Sequence, residues 1–152
     1  LPVVQSVFWL DEQVSRCLTL LQGSAQEKGQ TLRADLEPIE CRGSEELLSH
    51  VWINLISNAV KYTPQGGQIT VTLAKAGAEA VCTVSDTGIG MTEEVRQHIF
   101  DRYYQADPSH TGKGIGLGLP IAASIATEHK GTLKAESDQA STRFLFSMPL
   151  KK

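Results

Sequence analysis

Between positions 112 and 118 the chain reads Gly112-Lys113-Gly114-Ile115-Gly116-Leu117-Gly118, four glycines in seven residues directly before an apolar helical stretch. Packing alone does not account for such a run, because each glycine inside a helix costs about 1 kcal/mol relative to alanine. Closely spaced glycines instead expose backbone N–H groups, and a helix N-terminus attracts anions. The run therefore points to a phosphate-bearing ligand. It does not fit Gly-x-x-x-x-Gly-Lys-Ser/Thr or Gly-x-Gly-x-x-Gly, so P-loop and dinucleotide-binding folds are disfavoured.

The rest of the chain alternates between two periodicities. Val14, Cys17, Leu18, Leu21 and Ala25 recur at three and four, which predicts a helix from about Asp11, with Gly29 as its stop. Thr31 to Leu36 alternates like a strand, and Pro38 and Gly43 bracket a short extended piece. Ser44 followed by Glu45 and Glu46 is a helix start, and the helix is expected to reach about Val60. Thr63-Pro64-Gln65-Gly66-Gly67 breaks it. Gln68–Lys75 and Ala80–Ser85 read as an antiparallel hairpin, with Ile69, Val71 and Leu73 on one face. Thr92 opens a short helix ending near Phe100, and 105–114 reads as a loop. A helix from about Leu117 to His129 follows, stopped by Gly131, and then two strands, Thr132–Ser137 and Thr142–Met148. This mixture predicts an α+β fold, a two-layer α/β sandwich.

With 152 residues, 41% of them hydrophobic and 20% charged, the chain suits one domain with a real core. A net charge of −3 argues against a nucleic-acid surface. Cys17, Cys41 and Cys82 are odd in number and far apart, which supports neither a disulfide framework nor zinc and predicts reduced, buried thiols. No stretch has the length of a membrane span and no signal peptide is visible, so a soluble cytoplasmic domain is expected. That leaves room for a parent protein anchored in the inner membrane.

Three further clusters carry chemistry. Asn54 and Asn58 lie four apart in Asn54-Leu55-Ile56-Ser57-Asn58-Ala59-Val60-Lys61-Tyr62 and share one helix face. Amide oxygens are hard ligands suited to Mg²⁺, Lys61 is placed to reach a phosphate, and Tyr62 to lie against a base. The structural alternative is a pair of core-edge asparagines that cap nearby loops. Asp86-Thr87-Gly88-Ile89-Gly90-Met91 follows a strand; its carboxylate suits an exocyclic amine such as that of adenine, and its glycines allow close backbone approach. In Phe100-Asp101-Arg102-Tyr103-Tyr104-Gln105 the aromatics are core candidates, while Arg102 is a phosphate donor candidate.

In this order and spacing, the four clusters resemble the N, G1, F and G2 boxes of sensor histidine kinases, within the wider superfamily of gyrase, Hsp90, histidine kinase and MutL ATPases. The resemblance runs from about Val7 to Pro149 and includes the closing Thr142-Arg143-Phe144-Leu145-Phe146-Ser147-Met148-Pro149. It implies that residues 1–152 form a single catalytic and ATP-binding domain of Bergerat type, a mixed five-stranded sheet packed on three helices. It implies ATP and Mg²⁺ as cofactors, with Asn58 as metal ligand and Asn54 close to metal and phosphates. Asn54, Asn58 and Lys61 become the catalytic group. Tyr62 flanks the adenine and Asp86 binds its amino group, helped by Gly88 and Gly90. Gly114, Gly116 and Gly118, with Ile115, Leu117, Lys113 and Arg102, surround the phosphates under an ATP lid at 105–114, expected to be disordered at 107–113.

The implied activity is that of a protein-histidine kinase, which moves the γ-phosphoryl of ATP to a histidine of the parent sensor kinase and so starts a two-component phosphorelay. Hydrolytic members of the superfamily resemble Glu-x-x-x-Asn at this helix, and the position of their glutamate is Asn54 here. An amide is no general base near neutral pH, so slow hydrolysis is expected. The implied partners are the acceptor-histidine dimerisation domain of the same parent and, indirectly, a response regulator. No motif resembling Ser-His-Glu-Leu-Arg occurs, and none of His50, His98, His110 and His129 fits an acceptor. His98 and His129 are expected near helix ends, where cations are favoured. A monomeric fragment is expected. Gln105 departs from the arginine common in the family at the end of the F box, Pro120 from an alanine, and Ser141-Thr142 from a glycine-containing turn. The first departure keeps open a second reading, an ATP-binding but catalytically weak regulatory or scaffold module.

Overall fold

A computed structural model describes residues 4–88, 90–101, 118–138 and 140–150. Within them lie strands β1 (Ser6–Trp9), β2 (Thr31–Leu36), β3 (Glu40–Gly43), β4 (Gln68–Ala76), β5 (Glu79–Asp86), β6 (Thr132–Ser137) and β7 (Thr142–Pro149). The helices are α1 (Leu10–Glu27), α2 (Glu45–Tyr62), α3 (Glu93–His98) and α4 (Gly118–Glu128). Five strands form one mixed sheet in the order β2-β4-β5-β7-β6, with only the β2–β4 pair parallel. The parallel pair follows from the crossover through α2, since parallel neighbours need such a connection. α1, α2 and α4 lie side by side against one face of the sheet. This is the expected two-layer α+β sandwich.

Sequence signals explain most element boundaries. Ser44 Oγ accepts the N–H of Leu47 at 3.1 Å and caps α2, and Thr92 Oγ1 accepts that of Val95 at 3.1 Å and caps α3. Alternation buries Ile69, Val71 and Leu73 of β4 and Ala80, Cys82 and Val84 of β5 beneath the helices. α2 runs to Tyr62, two residues beyond the expected end, and α3 stops at His98, two residues short of it. β1, which no alternation announced, pairs antiparallel with β3 in a separate two-stranded sheet.

Trp52 is the central packing element of α2. It is fully buried, meets Phe146 edge to face at 4.9 Å, and donates from Nε1 to Gln13 Oε1 at 2.7 Å. Gln13 in turn donates to the Glu45 carbonyl at 2.7 Å. An edge-to-face pair contributes about 1 kcal/mol beyond its buried area. Helix α2 is therefore held between α1 and the sheet, and its C-terminal half projects towards the end of the molecule where Asp86 closes β5.

Gly131 takes part in ending α4, its N–H donating to the Ala126 carbonyl at 2.8 Å, but it is not the left-handed residue of that cap. The left-handed residue after α4 is Lys130, at φ 60°. Gly131 is required because a Cβ there would run into the backbone carbonyl of Ser147 on β7. His129 also departs from expectation. Its Nε2 accepts the N–H of Ser44 at 3.0 Å while Nδ1 faces the Ile125 carbonyl at 2.9 Å. An acceptor Nε2 requires the neutral Nδ1–H tautomer, so His129 is an uncharged clasp between α4 and the start of α2 and not a cation at a helix end. His98, by contrast, pairs with Asp101 at 2.8 Å on the exposed end of α3.

Candidate functional site

Three chain segments converge at the C-terminal end of α2. Asn54 and Asn58 are half-buried on that helix, and among the described residues no hydrogen bond engages either side-chain amide. They are not loop caps there. Gly118, the first residue of α4, lies beside Asn54: a Cβ added to it would stand 3.4 Å from Asn54 Oδ1. The end of the glycine-rich run is thus brought onto the face of α2 that carries the asparagines.

The second junction joins α2 to the turn after β5. Asp86 is 8% exposed and accepts the N–H of Gly88 at 2.8 Å. A Cβ on Gly88 would be 2.7 Å from Asp86 Oδ1 and 3.3 Å from the Tyr62 carbonyl, so this turn is seated against the last residue of α2. Burial raises the Asp86 pKa above the usual carboxylate value, and the backbone N–H groups of Gly88 and Thr142 pull it partly back. A desolvated carboxylate at a strand end is a strong acceptor for an amino group.

Two features at this junction were not read from the sequence as parts of a site. Thr142 is the register partner of Asp86, 9% exposed, so its side chain forms part of the same buried floor. Its position at the start of a closing strand was the only available signal. Ser137 accepts the N–H of Met91 at 2.6 Å through Oγ, which ties the turn after β5 to the β6–β7 turn. Gly90, at φ 75°, completes that contact: a Cβ would collide with the Asp138 carbonyl, so only glycine fits both the dihedral and the approach.

Lys61 and Tyr62 finish α2. Tyr62 is 36% exposed, and the Lys61 ammonium stands 5.1 Å from its ring centroid, within cation–π range. Arg102, Lys113, Gly114, Ile115, Gly116, Leu117 and the expected lid at 105–114, with Gln105 and His110, lie outside the described residues. Phe100, expected in the core, is half-buried and packs edge to face on Phe144 at 6.1 Å.

A family profile described as histidine kinase-, DNA gyrase B-, and HSP90-like ATPase matches residues 43–152. The chain belongs to that ATPase family. The matched span contains Asn54, Asn58, Asp86 and the glycine-rich run. Among curated relatives, the heme sensor protein HssS of Staphylococcus saprophyticus is 38% identical over 136 residues, covering 89% of this chain and 29% of that protein. The sensor histidine kinase CusS of Escherichia coli is 33% identical over 142 residues, covering 92% and 30%. The chain thus spans less than a third of the length of these relatives. Among solved structures, the nucleotide-free catalytic domain of histidine kinase ThkA superposes with a TM-score of 0.88 at 23% identity, covering 97% of both chains. Full-length ShkA in complex with AMPPNP gives 0.89 at 24% identity, covering all of this chain and 32% of that one. The fold is therefore that of histidine kinase catalytic domains, and the ATP-binding domain of this ATPase family is what the chain comprises. Among the described residues no helix is long and apolar enough to cross a membrane.

Proposed function

We propose that the domain binds Mg-ATP at the junction of α2, the β5 turn and the start of α4, and donates the γ-phosphoryl to a histidine of a longer sensor kinase. The observation that carries this reading is the approach of Gly118, the last glycine of the run, to Asn54 on a helix face bearing two unengaged amide oxygens. Backbone N–H donors and hard oxygen donors on facing elements suit a polyphosphate with its counter-ion. Asp86, at the other end of the junction, suits the amino group of adenine, with Thr142 beside it and Tyr62 flanking the ring.

The amide oxygens fit Mg²⁺, which takes one or two protein oxygens and completes its shell with phosphates and water. Asn58 would hold the ion with Asn54 beside it, and the ion supplies neutralisation of phosphate charge. Lys61 adds a cation at the same end of α2. Position 54 bears an amide, which accepts no proton from water, so the chain holds the nucleotide without activating a water molecule against it. Transfer then needs an outside nucleophile. A neutral imidazole nitrogen forms the new P–N bond as the bond from γ-phosphorus to the ADP oxygen breaks, and the imidazole releases one proton. Positioning and charge neutralisation carry such a transfer. A response regulator is the onward acceptor in this reading, consistent with the structure of ThkA in complex with response regulator TrrA.

The test is nucleotide binding by calorimetry with and without Mg²⁺, followed by incubation with a helical-hairpin protein bearing the acceptor histidine. Mg²⁺-dependent binding and acid-labile phosphate on the hairpin are expected. Phosphate release without acceptor, at a rate matching transfer, would overturn the kinase assignment in favour of an ATPase.

A further inference from the structure

The nucleotide-facing end of α2 has no cap of its own. Thr63 leaves the helix in an extended conformation, φ −82° and ψ 130°, so the chain does not fold back to close the last carbonyls as a glycine-ended helix does. Thr63 N–H satisfies only the Ala59 carbonyl, at 2.9 Å. The carbonyls beyond it are met from another part of the chain. Lys28 Nζ donates to the Val60 and Lys61 carbonyls at 2.9 and 3.1 Å, and Gln30 Nε2 donates to the Val60 and Thr63 carbonyls at 2.9 and 2.7 Å.

Lys28 and Gln30 are themselves fixed. They flank Gly29 in the turn that ends α1, with the N–H groups of both residues bonded to the Ala25 carbonyl at 3.1 and 3.0 Å. A short turn thereby closes α1 and holds the final turn of α2. The Lys28 ammonium also faces the negative end of the α2 dipole, where a cation is favoured. Asn58, Lys61 and Tyr62 all belong to that final stretch.

Resting on the nucleotide-site reading above, we infer that Lys28 and Gln30 are positioning residues for nucleotide binding. They set the axial position of the last turn of α2, and with it where the Asn58 amide oxygen and the Tyr62 ring meet the ligand, without touching the ligand. Gln30 contributes to stability as well, so affinity is compared with thermal stability for each variant. Its Oε1 and the neighbouring Thr63 Oγ1 are buried with no hydrogen-bond partner among the described residues, so replacing Gln30 with methionine removes an unpaired acceptor as well as two donated bonds.

The experiment compares Mg-ATP affinity, thermal stability and amide hydrogen exchange in this chain and five variants. Lys28→Met and Gln30→Met are expected to weaken affinity about tenfold, in the range seen when groups that orient metal ligands are removed. They should also speed exchange at Tyr62 and Thr63. Lys28→Arg, which keeps charge and donors, should stay close to the parent. Met148→Ala, a buried change at the end of β7 remote from Asp86, should lower the melting temperature and leave affinity unchanged. Unaltered affinity in both methionine variants overturns the positioning role, as does an equal loss in Met148→Ala. Asn58→Ala is the control for the site: if it also binds normally, the site reading falls and this inference with it.

Discussion

The backbone N–H of Ser44 donates to Nε2 of His129 at 3.0 Å, across 85 residues of sequence. Ser44 caps α2, so the residue that starts the site-bearing helix is anchored to the residue that follows α4.

Replacing His129 with phenylalanine keeps bulk but removes the acceptor and leaves the Ser44 N–H buried and unpaired. The expected loss is about 1–3 kcal/mol in urea unfolding, with an unchanged m-value. A loss within the error of the measurement would mean that another acceptor replaces the imidazole.

Asp86 sets stability against function. Its pKa is raised in the folded state by burial, so the fold takes up a proton there more readily than the unfolded chain does, whose reference value is 3.8. The ionised group therefore costs stability, in full once pH exceeds the raised folded value, and the cost disappears as pH falls below 3.8. Asp86→Asn should match or exceed the parent in thermal stability at neutral pH, and this advantage should vanish in acid. Nucleotide affinity should fall in the same variant. An Asp86→Asn protein less stable than the parent at pH 7 would contradict this account.

The end of α4 offers a paired test. Lys130 adopts the left-handed conformation, which costs an L-residue about 1–2 kcal/mol, so Lys130→Asn should be neutral or stabilising. Gly131→Ala should be strongly destabilising, because the added methyl meets the Ser147 backbone, which cannot move without disturbing β7. Thermal melts of the two variants should shift in opposite directions or, at the least, by very different amounts.

The thiols of Cys41 and Cys82 are pushed up to about 12, chiefly by burial, and that of Cys17 is raised for the same reason. At pH 8 all three should react slowly with a disulfide reagent in the folded state and fully after unfolding in guanidinium. Prompt labelling of one thiol in the native protein would indicate local opening at that site.

Local relations in the chain determined the elements. Period-two and period-three-to-four spacing, the caps at Ser44 and Thr92, and the break at Thr63-Pro64-Gln65-Gly66-Gly67 all depend on neighbours within a few residues, and those neighbours are written in order. The four-residue spacing of Asn54 and Asn58 on one helix face belongs to the same class, as does the absence of an acid at position 54. Tertiary structure decided what crosses the chain. Packing, not spacing, put Gly118 against Asn54, Thr142 opposite Asp86, and β1 on β3. It also made Gly131 a contact point on β7, left the helix reversal to Lys130, and turned His129 from an expected cation into a neutral acceptor. The open end of α2 was closed from the turn after α1, 30 to 33 residues away. Each of these contacts joins groups far apart in the chain, whose approach is set by strand pairing or by how the helix layer sits on the sheet, and no residue pattern along the chain encodes that distance.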